Sequence, residues 1–432
     1  MGQTRKCLLW SLEDFIHGGI VVASQRVLGL CNLNFPVRIV ILLIFVSALP
    51  DALVVPVLKD LFADRYSVSA AQAQLFLAVN LLGALLAIPF VKYMRTRMSG
   101  WVVVSSTALV DGILLAIMWL PIGFAGTLVL RVLEGAVDVA TFAALFQMLG
   151  RHDQQHRAWK LGLGATLLVA GLGIGAVLGG FITKVTGSAT VTLLVGSASC
   201  MATGFLAIAF RATLTRMAEF AKGAFMQRQL DEQEFTQKPG KIWPILFMSA
   251  TDRATGAILT AVFASFLLSG LGYTPEQRGM LVGLPLLFMA IGAAPAGWIA
   301  DRFGALQTRT LSAIVYAVAL ASVPFLGANT VVLALVLLIL GVAAAPLLPA
   351  SLALVLTTNR GMTGLAAFRA AGDIGYFSGI VVAIATSAMS DAEQYSVQAG
   401  LVCGFALLHA VATATSWLTL RSNSISQEQT GA

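Results

Sequence analysis

Nine charged side chains fall inside stretches of this 432-residue chain that are otherwise apolar: Asp51, Asp111, Arg131, Glu134, Asp138, Asp252, Arg253, Arg369 and Asp373. Six acids and three bases cannot all pair, so about three carboxylates need a proton or a cation once removed from water. Arg131, Glu134 and Asp138 recur at i, i+3 and i+7, which on a helix is a single face. Arg131 can hold one carboxylate ionised while its less compensated neighbour exchanges a proton, and Asp138 is the first candidate for that titrating acid. The competing reading is a self-contained structural cluster holding one helix to the next. Arg369 and Asp373, four apart, are spaced to pair within a helix, with the GDIG string at 372 to 375 giving close packing beside them. Asp252 and Arg253 are adjacent, so they point about 100° apart and each needs a partner on another helix. Asp51 follows Pro50, with Pro56 beyond, and an acid at a proline-broken helix often faces a cavity. Asp111 either caps a neighbouring backbone or lines the same path.

The elements that must hold these charges are membrane helices. Hydrophobic residues make up 58% of the chain and charged residues 11%, a balance that leaves too little polar surface for a water-soluble protein of this size. A spanning helix needs about 20 apolar residues. Twelve such windows occur: 37–59, 71–93, 101–120, 124–148, 161–182, 190–210, 243–269, 279–300, 308–327, 330–356, 363–388 and 397–419. The expected fold class is therefore an all-α membrane protein of twelve helices. With the N-terminus inside, twenty of the 27 Lys and Arg fall on the inner side; Lys59, Arg65, Lys184 and Arg278 fall outside, and three lie within spans. Both termini are thus expected to be cytoplasmic. This topology accounts for the net charge of +7 and removes any need for a nucleic-acid partner.

The organisation expected is a segment 1–36, a six-helix bundle 37–210, a polar linker 211–242, a second bundle 243–420 and a tail 421–432. In the first segment Leu8, Leu9, Leu12, Phe15 and Ile16 share a helical face suited to the membrane interface, while Glu13 and Asp14 argue against a cleaved signal. Ser69 with Gln72 makes a capping box, and Thr274 with Gln277 repeats it 205 residues later. Pro89 and Pro295 recur at nearly the same offset. A six-helix unit used twice lets two bundles rock about a site at the midplane.

The four cysteines, Cys7, Cys31, Cys200 and Cys403, form no CxxC pair and suggest neither disulfides nor a metal. His152 and His156 have i, i+4 spacing but read as a solvated loop, so neither metal nor cofactor is expected. No GxSxG, Walker A or HExxH string supplies an enzyme's first requirement. Between two apolar stretches, GWIADRFG at 297 to 304 places Gly297, Asp301, Arg302 and Gly304. Its glycines let helices and turn approach closely, and its charges can pair across a mouth and be released when the mouth opens.

In these features the chain, from about residue 37 to 420, resembles the major facilitator superfamily. GWIADRFG looks like that family's loop motif, and the corresponding segment IPFVKYMRTRMSG at 88 to 100 is a decayed first copy, with Arg95 where an Asp is expected. RVLEGAVDVA matches a second motif at Arg131 and Gly135, with Glu134 in place of Gln. GLGIGAVLGG is similar to a motif associated with export by antiport: Gly171, Gly175, Gly179 and Gly180 fit, and Ala176 stands where Pro is usual. The resemblance implies a secondary transporter working by alternating access in a lipid bilayer, monomer sufficient, here read as a proton-coupled efflux antiporter of a small organic, cationic solute in the cell (inner) membrane. A symporter, a facilitator, a carrier of metal or inorganic ions, and a non-transporting sensor or scaffold stay open as alternatives.

Overall fold

The computed structural model describes residues 34–87, 94, 97–151, 157–217, 242–260, 263, 271–326, 329–356, 361–386 and 391–430. The expected interfacial segment, most of the decayed loop motif, the histidine-bearing loop and most of the linker lie outside the described residues. Fourteen α-helices and no strand are present among those described. The first half holds α1 (Phe35–Leu53), α2 (Leu58–Tyr66), α3 (Ala70–Leu86), α4 (Gly100–Met118), α5 (Phe124–Arg151), α6 (Arg157–Thr186) and α7 (Val191–Ala209). The second holds α8 (Trp243–Ile258), α9 (Pro275–Phe303), α10 (Ala305–Leu326), α11 (Thr330–Ala344), α12 (Leu347–Leu356), α13 (Gly361–Thr386) and α14 (Asp391–Thr430).

Two pairs of these helices are single rods interrupted by proline, which lacks the amide donor and clashes with the preceding turn. A 3-10 turn at Val55–Val57, containing Pro56, joins α1 to α2, and Pro346 separates α11 from α12. Twelve rods result, as the fold class requires. Eight stretches among the described residues are long and apolar enough to cross a membrane. Both anticipated capping boxes form: the Ser69 hydroxyl accepts from the Gln72 amide while the Gln72 side chain accepts from the Ser69 amide, and Thr274 with Gln277 does the same.

The pairing of rods repeats between the halves. In the first, α1 packs on α6 and α7, α3 on α5, and α4 on α5 and α7; in the second, α8 packs on α13 and α14, α9 on α11, and α10 on α11 and α14. Each pair of the first half thus has its counterpart in the second. The halves meet where α6 lies along α9 and α3 along α13.

Tight backbone approach at the first of these seams requires glycine. A Cβ on Gly283 would stand 2.6 Å from the Gly173 carbonyl oxygen, one on Gly279 2.6 Å from that of Ala176, and one on Gly180 would overlap the Pro275 carbonyl. The opposite side of α6 packs on α1 in the same way, with Gly171, Gly175 and Gly179 against the carbonyls of Phe45, Leu49 and Leu53.

The contacts between halves are concentrated at one end of the molecule. Leu61, Phe62 and Phe76 of the first half share one buried cluster with Phe263, Leu281, Val323 and Ile380 of the second. At the end where α1 begins, Val37, Val104, Leu149 and Leu214 form a cluster of the first half alone, and Ile242, Ile245, Met248, Val355 and Phe368 one of the second alone. We call these the distal and terminal faces. The molecule is joined at the distal face, and each half keeps its own core at the terminal one.

Candidate functional site

The face of α5 carrying Arg131, Glu134 and Asp138 forms as the spacing requires, and the structure brings four acids and one base together around it. Arg131 is ion-paired with Glu134, and its guanidinium lies 4.5 Å from the centre of the Phe76 ring. The second carboxylate oxygen of Glu134 accepts from the Asn80 amide at 2.7 Å. A Cβ at Gly135 would overlap the Asn80 backbone, so this glycine lets α3 approach α5 closely enough for that bond.

Arg131 is thereby committed to Glu134. Asp111, buried on α4, accepts from the Cys200 thiol of α7 at 3.2 Å, while its other oxygen has no hydrogen-bond partner among the described residues. Asp51 follows Pro50 within α1, which runs on through that proline to Leu53, so the interruption expected at Pro50 falls instead at the 3-10 turn Val55–Val57. Asp51, Asp111, Glu134 and Asp138 all lie within electrostatic range of one another. Among the described residues, three carboxylates of this pocket, those of Asp51, Asp111 and Asp138, therefore have no basic partner of their own. Their oxygens do not converge on a metal-holding group among the described residues.

The charged residues of the second half separate into two groups. Arg369 and Asp373 pair within α13, Nε to Oδ2 at 3.0 Å, as their spacing predicts. Arg253 of α8 approaches the other oxygen of Asp373 at 3.6 Å and lies over the Tyr376 ring. Gly372 makes room for this: a Cβ there would be 3.0 Å from Cγ of Arg253.

Asp252, pointing elsewhere on α8, accepts from Nη2 of Arg309 at 2.9 and 2.7 Å. Nε of the same arginine donates to Ser351 of α12 at 2.7 Å, and Nδ1 of His409 on α14 lies 3.3 Å from Asp252. Tyr316 packs its ring on His409 and donates to Thr255. Asp252 thus finds its partner on another helix, inside the second bundle and apart from Arg253. Neither Arg309 nor His409 is among the candidates named from the sequence, and both are fully enclosed. The signal was present: Arg309, Ala313, Tyr316 and Leu320 are spaced on one buried face of α10.

At the loop motif α9 ends at Phe303, and Gly304 takes a φ of +92°, open to glycine but strained for other residues. Gly297 meets no such demand, since a Cβ there would have nothing within 4 Å. The expected close approach at this position is absent in this conformation. Arg302 is exposed on the terminal face and lies near the Phe303 ring; the Asp301 side chain lies outside the described residues.

Two ion pairs that the sequence reading did not anticipate cross between the halves at the distal face. Lys184 at the end of α6 pairs with Glu276, and Asp60 of α2 accepts from Arg278 at 2.6 Å. Glu276 and Arg278 flank Gln277 of the second capping box. The helix start that repeats the first half's geometry also carries the charges that join the halves.

A family model described as the Major Facilitator Superfamily matches residues 40–377. Among solved structures, a bacterial homologue of the human lysosomal transporter Spinster, inward-facing and unoccupied, aligns with a TM-score of 0.67 at 13% identity, covering 90% of this chain and 96% of that one. A D-xylose-proton symporter aligns with a TM-score of 0.67 at 14% identity, covering 88% and 96%. At such identities these likenesses concern the fold. No curated protein matches the sequence.

Proposed function

The chain belongs to the major facilitator superfamily and is a multi-pass secondary transporter rather than an enzyme; on that premise we propose that it couples export of a small organic solute to proton entry. The observation that carries this reading is the pocket of four carboxylates in which the one arginine is engaged by Glu134. Each charge held at the middle of a bilayer costs about 3 kcal/mol even on the lenient insertion scale, so the pocket is costly unless protons enter it. Asp138 is half-buried, has no hydrogen bond or ion pair among the described residues, and is the acid that exchanges its proton. Glu134, fixed by Arg131 and Asn80, sets the local charge against which Asp138 titrates.

The cycle follows from the two faces. Taking both termini as cytoplasmic makes the terminal face the inner one, and the separate cores there then correspond to an inward-open arrangement. A solute enters between the halves as Asp138 gives its proton to the cytoplasm. The bundles then rock on the α6–α9 seam, the distal ion pairs separate, and Asp301 with Arg302 helps to close the inner mouth. A proton arriving from outside displaces the solute. Export is favoured by the glycines of α6, which match the antiport pattern at Gly171, Gly175, Gly179 and Gly180. A proton symporter shares this fold, so symport is the second reading.

Proteoliposomes loaded with a pH-sensitive dye test the proposal. Solute added on one side is expected to drive protons to the same side under antiport, and away from it under symport. Proton movement unchanged in Asp138→Asn would remove Asp138 from the mechanism.

A further inference from the structure

Arg253 and Arg369 form a second charged wall of the cavity, opposite in sign to the acid pocket. On α13, Arg369, Asp373, Tyr376 and Ile380 follow one another at spacings of four, three and four, a continuous stripe. Its distal member, Ile380, is buried in the cluster shared by both halves. Its terminal member, Arg369, has a side chain 72% exposed. The matching stripe is Arg253 and Gly256 on α8 with Thr260 just beyond its end. Thr260 lies 3.2 Å from the Tyr376 hydroxyl, a Cβ on Gly256 would meet nothing within 4 Å, and the Arg253 side chain is 49% exposed.

Both stripes therefore run from the closed distal seam into open space between the halves. The lipid-facing side of α13 is a different one, marked by exposed Ile374 and Val381. At 1.5 Å per residue along each helix, Arg369, Arg253 and Asp373 lie roughly 12 to 18 Å in from the terminal face, and Asp111, Asp138 and Asp51 roughly 16 to 24 Å. The two walls overlap in depth, the acid one reaching about 5 Å further from the terminal face.

The basic wall has charge to spare. Among the described residues two guanidinium groups face one carboxylate, which accepts from Arg369 through Nε alone and stands 3.6 Å from Arg253. Asp373 thus orients two arginines without neutralising them, and their terminal N–H groups keep the forked geometry that receives an oxyanion through paired hydrogen bonds.

Building on the transport cavity proposed above, we propose that Arg253 and Arg369 form an oxyanion subsite, so that the transported solutes carry a carboxylate or phosphate group. The anionic end of the solute lies on α8 and α13, and the acid pocket on α1, α4 and α5 takes up protons or a basic group at its other end. This refines the expectation of a purely cationic solute: an amphoteric molecule fits both walls.

Arginine modification tests the subsite without knowledge of the solute. The purified full-length protein is treated with phenylglyoxal, and labelled arginines are mapped by mass spectrometry in the presence of benzoate, phenyl phosphate, benzylamine or benzyl alcohol at equal ionic strength. Arg253 and Arg369 are expected to react, with exposed Arg302 as the positive control and enclosed Arg309 as the negative one. Benzoate or phenyl phosphate should slow their labelling severalfold while the amine and the alcohol do not, and whichever anion protects more identifies the group preferred. In Arg369→Gln, protection of Arg253 should fall while its labelling without ligand persists. Absence of labelling at both positions, or protection by oxyanions no greater than by chloride, would overturn the proposal. Protection needs no proton movement, so protection without flux would sink the coupling mechanism alone, and flux without protection the subsite alone.

Discussion

At the scale of single residues, partner number separates a fixed charge from a mobile one. Arg131 and Glu134 are almost wholly enclosed, with side chains 4% and 1% exposed, and each is the other's charge partner. Removing one side of such a pair strands the other, at a cost of about 3 to 5 kcal/mol. Arg131→Ala should accordingly lower the unfolding temperature in detergent substantially, and adding Glu134→Gln should recover much of the loss; a double variant no better than the single would show that the pair is not what Arg131 contributes. Asp138, without such a partner, should behave oppositely. Asp138→Asn is expected to leave the unfolding temperature near that of the wild type and to abolish uphill transport while retaining solute exchange. A large loss of thermal stability in this variant would assign Asp138 to structure.

The pairing of Arg369 with Asp373 was legible because spacing of four on a helix fixes neighbours, and so was the face shared by Arg131, Glu134 and Asp138. Partners from other helices were not legible. Nothing in the local pattern around Asp252 names Arg309 of α10 or His409 of α14, since that contact depends on how three rods pack. The network also has a separable consequence. Arg309→Gln would leave Asp252 without its arginine, with only the His409 imidazole beside it among the described residues, so stability should fall by a few kcal/mol, read as a lower midpoint in thermal unfolding. A variant as stable as wild type would show the enclosure to be looser than the structure indicates.

At the scale of elements, the seam of α6 and α9 decides the conformation. The close approach at Gly180 and Gly283 leaves no room for a side chain, and the ion pairs Lys184–Glu276 and Asp60–Arg278 lie at the same end. Gly283→Leu should push the distal ends apart, and Asp60→Asn should weaken the link that holds them. Both variants are expected to raise the rate at which a cysteine replacing Leu281, buried in the cluster shared by the halves, reacts with a membrane-impermeant maleimide from the distal side. Equal rates in wild type and variants would show that the seam does not hold this face closed. The glycines of α6 could be read from the sequence as a packing stripe, but their division between two partners could not. Gly171, Gly175 and Gly179 serve α1 within one half, whereas Gly180 serves α9 in the other. Glycine spacing marks a helix face; which helix lies there follows from the assembled fold.

At the scale of the whole molecule, twelve rods follow from apolar length, and the duplicated capping boxes announce the repeat that the paired packing displays. The sequence could not give the state of the cycle: closure at the distal face is a property of one arrangement of two bundles whose internal packing changes little as they rock. The acid pocket and the basic wall belong to different halves, so in the proposed cycle rocking changes their separation and couples the charge of one to the occupant of the other. The central claim is that this geometry exchanges protons for a solute. Its most direct test is dye-reported proton movement in proteoliposomes, triggered by amphoteric solutes added to one side. Protons are expected to move toward the side of solute addition, and to cease doing so in Asp138→Asn with the protein still folded. Solute flux without proton movement, or proton movement undiminished in Asp138→Asn, would contradict it.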